Sequence, residues 1–187
     1  MPQSQFTIRR KVLTLVGAKF HIYNADGTLI GFSKQKAFKL KEELRVYADE
    51  SMSRELMAIL ARQLIDFGAT YDVIDSLGGE KIGAVRRSGF TSLFRDQWLV
   101  LDEHDQQIGI IQEDNPFLAL VRRFVTNLLP QRYSLHDAGG RELATMHRHF
   151  NPFVQKLTVT VEEDDSIDPH LVLAAGILLV AIEGRQG

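Results

Sequence analysis

One pattern occurs four times in this chain and constrains its fold more than any other feature. In each copy an aromatic residue is followed two positions later by an aliphatic residue and four positions later by Asn or Asp. A polar or Gly-containing stretch, an aliphatic residue and a small residue complete it. The copies are FHIYNADGTLIG (Phe20–Gly31), YDVIDSLGGEKIG (Tyr71–Gly83), WLVLDEHDQQIG (Trp98–Gly109) and YSLHDAGGRELA (Tyr133–Ala144). Their spacing is irregular, which argues against a solenoid of fixed period.

Each copy is typical of a β-hairpin. Residues two apart point to the same face of a strand, so the aromatic and aliphatic residues enter one core. Asn, Asp and Gly suit the turn because they tolerate positive φ and hydrogen-bond to nearby backbone. The aliphatic residue after the turn returns the chain to the same core. Four hairpins predict at least eight strands.

Further strands are expected around the hairpins. Phe38–Leu40, Leu44–Val46 and Leu157–Val161 alternate apolar and polar residues, as half-buried strands do. Val12–Val16 is predicted to be a strand as well. Glu55–Ile65 has a composition that suits a helix, but its position between hairpins favours a strand.

Two segments predict helices. Phe117–Leu129 has apolar residues at helical spacing between two prolines, which indicates an amphipathic surface helix. Near the C-terminus, Leu171–Ile182 (LVLAAGILLVAI) is apolar on every side. Asp168 is a suitable N-cap and Pro169 a suitable first residue, so a helix over Pro169–Glu183 is expected. Twelve residues extend only ~18 Å as a helix, too short for a bilayer core of ~30 Å.

The predicted elements fit together as one closed structure. A sheet of ten to twelve strands tends to curl and close, and a barrel of that size has a lumen wider than side chains fill. The apolar helix is the expected filler, because a helix without a polar face is normally surrounded by protein. Residues 1–187 are therefore expected to form a single domain. The helix residues expected at its centre are Leu171, Leu173, Ile177, Leu178, Val180 and Ile182.

Composition excludes several classes of function. The chain has no Cys, which removes disulfides, thiolate metal sites and Cys nucleophiles. Its net charge of −2 disfavours a general nucleic-acid binder. No phosphate loop, nucleophile elbow or zinc-protease motif is present. We therefore predict no catalytic residue, no metal and no cofactor. The short basic and apolar start does not favour a signal peptide, and the cytoplasm is the expected location.

The strongest candidate site is basic. From Arg9 to Lys41 there are eight Lys and Arg residues and one acid, Asp26. If these residues lie on strands, Lys34 and Lys36 share a face, as do Lys39 and Lys41, because residues two apart point to the same side. Arg86 and Arg87 follow the second hairpin. An ordinary solvated strand face is the alternative interpretation. The residues predicted to bind an anionic ligand are Lys34, Lys36, Lys39, Lys41, Arg86 and Arg87.

Other motifs favour structural roles. His147 and His149 would share a strand face, but two imidazoles fall short of the three or four ligands of a metal site. The tripeptides Asn115–Phe117 and Asn151–Phe153 are both NPF. Asn-Pro typically starts a turn, so each Phe is expected in the core. Asn24–Gly27 is expected to be a turn rather than a calcium loop, because no Glu closes it.

Three stretches resemble the LURP-one-related family. They are RRKVLTLVGAKFHIYNADGTLIGFS (Arg9–Ser33), LKEELRVYADE (Leu40–Glu50) and LLVAIEGRQ (Leu178–Gln186). That family is grouped with the tubby C-terminal domain and the phospholipid scramblases. The resemblance implies a roughly twelve-stranded antiparallel barrel around a central hydrophobic helix. It also implies membrane association, since tubby-like domains bind phosphoinositide headgroups through basic residues. No stretch reproduces the tubby headgroup motif, so no binding residue is transferred.

The sequence thus predicts a mainly β (α+β), tubby-like barrel that is a binding module rather than an enzyme. Its expected ligands are anionic lipid headgroups or phosphorylated molecules, bound through a basic barrel face. A protein-interaction or regulatory domain is one alternative, and a scramblase-like membrane-associated protein is another. The expected location is the cytoplasm or the periphery of a membrane, without a spanning segment and without a nucleic-acid partner.

Overall fold

The computed structural model describes residues 4–11, 18–35, 43–63, 68–88, 97–114, 131–149, 153–162 and 166–182. The elements found there are β1 (Ser4–Lys11), β2 (Ala18–Tyr23), β3 (Leu29–Gln35), β4 (Glu43–Tyr47), β5 (Glu55–Ala61), β6 (Thr70–Asp75), β7 (Lys81–Arg87), β8 (Trp98–Leu101), β9 (Gln107–Glu113), β10 (Gln131–His136), β11 (Glu142–His149), β12 (Val154–Val161) and the helix α1 (Pro169–Ile182). Neighbouring strands pair antiparallel in chain order. The last strand, β12, pairs with β1 and closes the barrel.

All four repeated motifs form the predicted hairpins: β2–β3, β6–β7, β8–β9 and β10–β11. Their turns use the Asn and Asp side chains as acceptors. Asn24 Oδ1 accepts a hydrogen bond from the Thr28 amide at 2.8 Å, and Asp102 Oδ1 accepts one from the Gln106 amide at 2.8 Å. Such bonds to a nearby amide replace strand pairing at the point where the chain reverses.

The helix α1 fills the barrel, as predicted. Asp168 Oδ1 accepts a 2.7 Å hydrogen bond from the His170 amide, so the predicted N-cap is present. Residues 171–181 are all buried. They include five of the six residues expected at the centre, while Ile182 is partly buried against the same core. At Gly176 a Cβ would lie 2.9 Å from Val159 Cγ2 and 3.0 Å from Ile8 Cδ1, so this glycine lets α1 approach the wall closely.

The barrel has two different ends. The turn end carries the tight turns and the start of α1. The loop end is the opposite end of the barrel, where α1 finishes. The turns at the turn end are residues 24–28, 48–54, 76–80, 102–106 and 137–141. Because connections alternate between the ends of an antiparallel barrel, the strand ends that these turns do not join lie at the loop end.

Several sequence predictions can be compared directly with these elements. Glu55–Ala61 is strand β5, so the strand was correct, although it stops before the predicted end at Ile65. Leu44–Val46 lies within β4 and Leu157–Val161 within β12. The sequence analysis did not identify β1. The predicted strands at 12–16 and 38–40 and the predicted helix at 117–129 lie outside the described residues.

Candidate anion-binding face

Charge is divided unevenly around the barrel. Strands β10, β11, β12, β1, β2 and β3 are consecutive neighbours. Glu142, the first residue of β11, is the one acid in these six strands. Strands β4 to β9 contain five acids and four cations. The cations of the first group are Arg9, Arg10, Lys11, Lys19, Lys34, Arg132, Arg148 and Lys156.

The register places five of these cations on the outside of the barrel. Arg9 lies directly opposite Lys156 across β1 and β12. Lys19 lies directly opposite Lys34 across β2 and β3. Lys156 is partly buried and the others, with Arg132 on β10, are exposed. We call this set the basic face: Arg9, Lys19, Lys34, Arg132 and Lys156.

The basic face lacks counter-charges. None of its five side chains forms an ion pair with a carboxylate in the part of the chain that the structure describes. Several cations elsewhere are paired, such as Lys81, whose Nζ is 2.6 Å from Asp105 Oδ1, and Arg141, whose Nε is 3.1 Å from Asp137 Oδ2. Arg86, on β7, also has no carboxylate partner among the described residues, but the basic face is the larger group of such cations on neighbouring strands.

Aromatic rings lie within the basic face. The Arg9 guanidinium is 4.9 Å from the centroid of the Tyr23 ring. His21 is opposite Arg9 in the register and stacks on Tyr23, with ring centroids 6.4 Å apart. Glu50 reaches the margin of the face, where its Oε1 is 3.2 Å from His21 Nε2. Arg9 thus contacts an aromatic ring rather than a carboxylate.

The structure brings together only part of the predicted set. Lys34 is exposed on the basic face. Arg86 and Arg87 are on β7, four strands from β3. Arg86 Nε donates to Thr70 Oγ1 at 3.1 Å, and the Arg87 guanidinium is 5.9 Å from the centre of the Trp98 ring. Lys36, Lys39 and Lys41 lie outside the described residues.

The sequence analysis missed Arg132 and Lys156. They join Arg9 only because β12 closes on β1, a contact between the two ends of the chain. For Lys156 one signal was available, since the stretches 4–35 and 143–161 contain one acid and none, respectively, and are both basic. Pairing those two stretches would have required knowing that the barrel closes between them.

His147 and His149 lie on β11, and His149 is directly opposite Lys156 of β12. Their ring centroids are 4.5 Å apart, and His149 Nε2 is 2.9 Å from Thr158 Oγ1. Burial lowers the pKa of His149, and the positive charges of Lys156 and His147 lower that pKa further. His149 therefore favours its neutral form. No group of three or more metal-ligating side chains occurs among the described residues.

Phe153 corrects one sequence prediction. It was expected in the core, but it lies just before β12 with 67% of its surface exposed. The next residue, Val154, pairs with Lys11, so Phe153 lies just beyond the last described residue pair of β1 and β12. The other predicted core residue of this kind, Phe117, lies outside the described residues. Within the described part of the chain, no helix is long and apolar enough to cross a membrane.

The described strands form a closed antiparallel barrel of twelve strands around an apolar helix, and this architecture is the fold class of the protein. The sequence profile of the LURP-one-related family matches residues 29–180, and the chain belongs to that family. The crystal structure of an Arabidopsis thaliana protein is similar in fold, with a TM-score of 0.52 and 15% identity over 95% of this chain and 91% of that one. No curated protein matches the chain.

Proposed function

We propose that this protein is a non-enzymatic module that docks on an anionic membrane surface through its basic face. The observation that carries the proposal is the set of five outward cations on β10, β12, β1, β2 and β3, none of which pairs with a carboxylate among the described residues. Membrane surfaces rich in anionic lipid attract such clusters, and each Lys or Arg near the surface contributes ~1 kcal/mol. The family and the barrel are consistent with a binding module.

The area of the basic face suits a surface rather than a single small ligand. Neighbouring strands are ~4.8 Å apart, so six strands extend over ~24 Å along the curved wall. Several lipid headgroups fit within that distance. The cations therefore need not converge on one phosphate, which agrees with the absence of a tubby-like headgroup motif in the sequence.

The arrangement also has a cost in stability. Like charges placed directly opposite each other on neighbouring strands are destabilising, and Lys19–Lys34 and Arg9–Lys156 are two such pairs. Functional sites commonly retain features that disfavour folding. The two pairs therefore support a binding role over an ordinary solvated surface.

Phe153 favours a membrane over a soluble polyanion. It is a largely exposed aromatic residue three positions before Lys156. An exposed aromatic side chain at the loop end suits insertion at the boundary of headgroups and acyl chains, whereas a soluble polyanion offers it nothing apolar. Lys36, Lys39 and Lys41 follow Lys34 in the sequence, and we include them in the docking site. Arg86 and Arg87 are excluded because of their distance around the barrel.

Co-sedimentation with vesicles tests the proposal. The purified protein is mixed with phosphatidylcholine vesicles, or with vesicles that also contain phosphatidylserine, at low and high salt. We expect binding only to the anionic vesicles and a loss of binding at high salt, because exposed charges are screened. The double variant Lys19→Gln/Lys34→Gln should bind ~30-fold more weakly, since it removes two charges worth ~1 kcal/mol each.

The matched control is Arg54→Gln/Arg141→Gln, which removes two positive charges at the turn end. It should bind as the unchanged protein does. Equal losses in the two double variants would mean that overall charge, rather than the basic face, determines binding. Binding that ignores salt and lipid charge would overturn the proposal, and no binding to either vesicle would direct the search to protein partners.

A further inference from the structure

The six histidines of the chain fall into two groups of three. One group lies on the outer surface of the barrel among the cations of the basic face, and its members are His21, His147 and His149. The other group lies at the turn end, and its members are His104, His136 and His170. Histidine is the side chain whose charge normally changes between about pH 5 and 8. The charge of the basic face therefore depends on the first group.

The strand register places two of these histidines beside fixed cations. His149 lies directly opposite Lys156, and His21 lies directly opposite Arg9. Lys156 and Arg9 are opposite each other, so the four residues form one row across β11, β12, β1 and β2. Side chains directly opposite each other have Cβ atoms about 5 Å apart. A proton on either imidazole would thus extend a row of positive charge.

The third histidine lies in the neighbouring row. His147 is directly opposite Arg132 of β10 on one side and Thr158 of β12 on the other. Its ring centroid is 4.5 Å from that of His149. Burial first, and then the charges of Lys156 and His147, lower the pKa of His149. Protonation of both rings is therefore favoured by a negative charge outside the barrel that offsets their repulsion.

Glu50 is the carboxylate that pairs with a histidine of this group in the described part of the chain. Its Oε1 lies 3.2 Å from His21 Nε2. The other close neighbours of His21 are Tyr23, stacked on it at 6.4 Å, and Phe32 of β3 at 5.1 Å, both measured between ring centroids. A proton on His21 would offset the charge of Glu50 at the margin of the basic face.

The histidines at the turn end have different surroundings. Each has a carboxylate oxygen within 4.0 Å of a ring nitrogen, and these belong to Glu103 at 3.6 Å, Glu142 at 4.0 Å and Asp168 at 3.3 Å. Protons on this group therefore add charge beside acids, away from the basic face. The two groups of histidines form a matched pair for an experiment.

We propose that acidification strengthens membrane docking, because protons on His21, His147 and His149 add up to three charges to the basic face. This regulation depends on the proposed docking function. In the free protein, protonation places like charges opposite each other, which is unfavourable. Lipid phosphates offset that repulsion, so docking and proton binding each favour the other. Near neutral pH the face docks through its fixed cations alone.

Co-sedimentation at two pH values tests the proposal. The vesicles contain phosphatidylcholine and phosphatidylglycerol, whose phosphate keeps its charge between about pH 5.5 and 7.5. Each added charge near an anionic surface strengthens binding about fivefold. With two to three protonations, the unchanged protein should bind ~30-fold or more tightly at about pH 5.5 than at about pH 7.5.

Two triple variants locate the effect. His21→Gln/His147→Gln/His149→Gln should bind like the unchanged protein at about pH 7.5 and lose most of the increase at about pH 5.5. The control, His104→Gln/His136→Gln/His170→Gln, should keep the increase. Circular dichroism at both pH values establishes that the compared proteins are folded. An increase that survives in the first variant, or an equal loss in both, would overturn the proposal.

A measurement on the unchanged protein does not depend on a variant folding. If docking favours the protonated histidines, the protein takes up about one proton as it binds these vesicles near pH 6.5. Isothermal titration calorimetry in two buffers of different ionisation enthalpy measures the uptake. Binding without any proton uptake would contradict the proposal.

The outcomes separate the regulation from docking itself. Equal binding at both pH values, with the salt dependence intact, overturns the regulation and leaves the docking function supported. Absence of binding at both pH values overturns the two together.

Discussion

Arg10 and Val180 join the barrel wall to the helix inside it. Nη1 of Arg10, on β1, donates a 3.0 Å hydrogen bond to the carbonyl oxygen of Val180 in the last turn of α1. The guanidinium also lies 5.6 Å from the centre of the Phe20 ring. The last carbonyl groups of a helix lack intrahelical donors, and a cation near them interacts favourably with the helix dipole. Arg10 therefore holds the C-terminal end of α1 in the lumen.

Replacing Arg10 should destabilise the fold. Arg10→Met keeps the aliphatic stem but removes the donor to Val180, so we expect the free energy of unfolding to fall by ~1–3 kcal/mol. Urea denaturation measures this change. The control is Lys19→Met, an exposed cation on the next strand, for which a change within ~0.5 kcal/mol is expected. Equal effects of the two substitutions would show that the bond to Val180 contributes nothing specific.

Gly83 allows two neighbours to approach β7. A Cβ at this position would lie 2.5 Å from the Leu101 carbonyl oxygen on β8 and 2.7 Å from Leu171 Cδ2 on α1. Gly83→Ala should therefore lower the free energy of unfolding by at least ~1–3 kcal/mol, as overpacking does. Thermal unfolding would detect the loss. Gly78→Ala, in the turn of the same hairpin, is the control, because its nearest contact would be an ordinary 3.6 Å to Glu80 Cγ. A Gly83→Ala protein as stable as the control would contradict this account.

The hairpins and the central helix were predictable because their signals are local. Asn24 and Asp102 each accept a hydrogen bond from an amide four residues later, so the turn chemistry is contained in a few residues. The strand β1 was not identified for the opposite reason. It places a charged residue, Arg10, on the inner side, and the partner that makes this tolerable, Val180, is at the other end of the chain.

The candidate site was only partly predictable because charge clusters in sequence and in space differ. Arg86 and Arg87 were grouped with Lys34 from the sequence, but four strand positions separate β7 from β3. Lys156 was overlooked because it is isolated in the sequence, and the closure of β12 on β1 brings it opposite Arg9. Sequence spacing specifies the face of one strand, whereas register across strands specifies a surface.

The substitution Lys34→Glu should raise the stability of the fold and weaken binding to anionic vesicles. Lys34→Glu replaces a pair of like charges with Lys19 by a pair of opposite charges, so the free energy of unfolding should rise by ~0.2–1 kcal/mol. Binding to anionic vesicles should fall in the same variant. Urea denaturation and co-sedimentation measure the two effects, with Lys34→Gln expected to be intermediate in both. A loss of stability in Lys34→Glu would contradict the unfavourable Lys19–Lys34 contact.

Asp105 should titrate at unusually low pH. Hydrogen bonds from Arg62 and then from Lys81 lower the pKa of its carboxyl group from 3.8 to about 2. Because the folded pKa is below the unfolded one, the stabilising effect is complete above the unfolded value near pH 3.8 and is lost as pH falls through about 2. The ¹³C shift of the carboxyl carbon measures this pKa. Arg62→Gln should raise it towards 3.8, while Arg45→Gln, which removes a cation paired with Glu43 and Glu55, should not.

His149 should respond to its neighbour on the basic face. Its pKa lies below the ordinary 6.5, first because the ring is partly buried and then because Lys156 and His147 are close. A lowered histidine pKa means that the unfolded chain binds more protons. The stability from neutral His149 is thus complete above pH 6.5 and is lost as pH falls through the folded pKa. Lys156→Gln should raise this pKa, although burial prevents a full return to 6.5.

The ring C–H signals of His149 report its titration by NMR, and urea denaturation across the same pH range reports the stability. Lys34→Gln is the control, because Lys34 is on β3 and His149 on β11, with three strands between them in the barrel order. It should leave the pKa of His149 unchanged. An equal rise in both variants would mean that the general positive potential of this side, and not contact with Lys156, keeps His149 neutral.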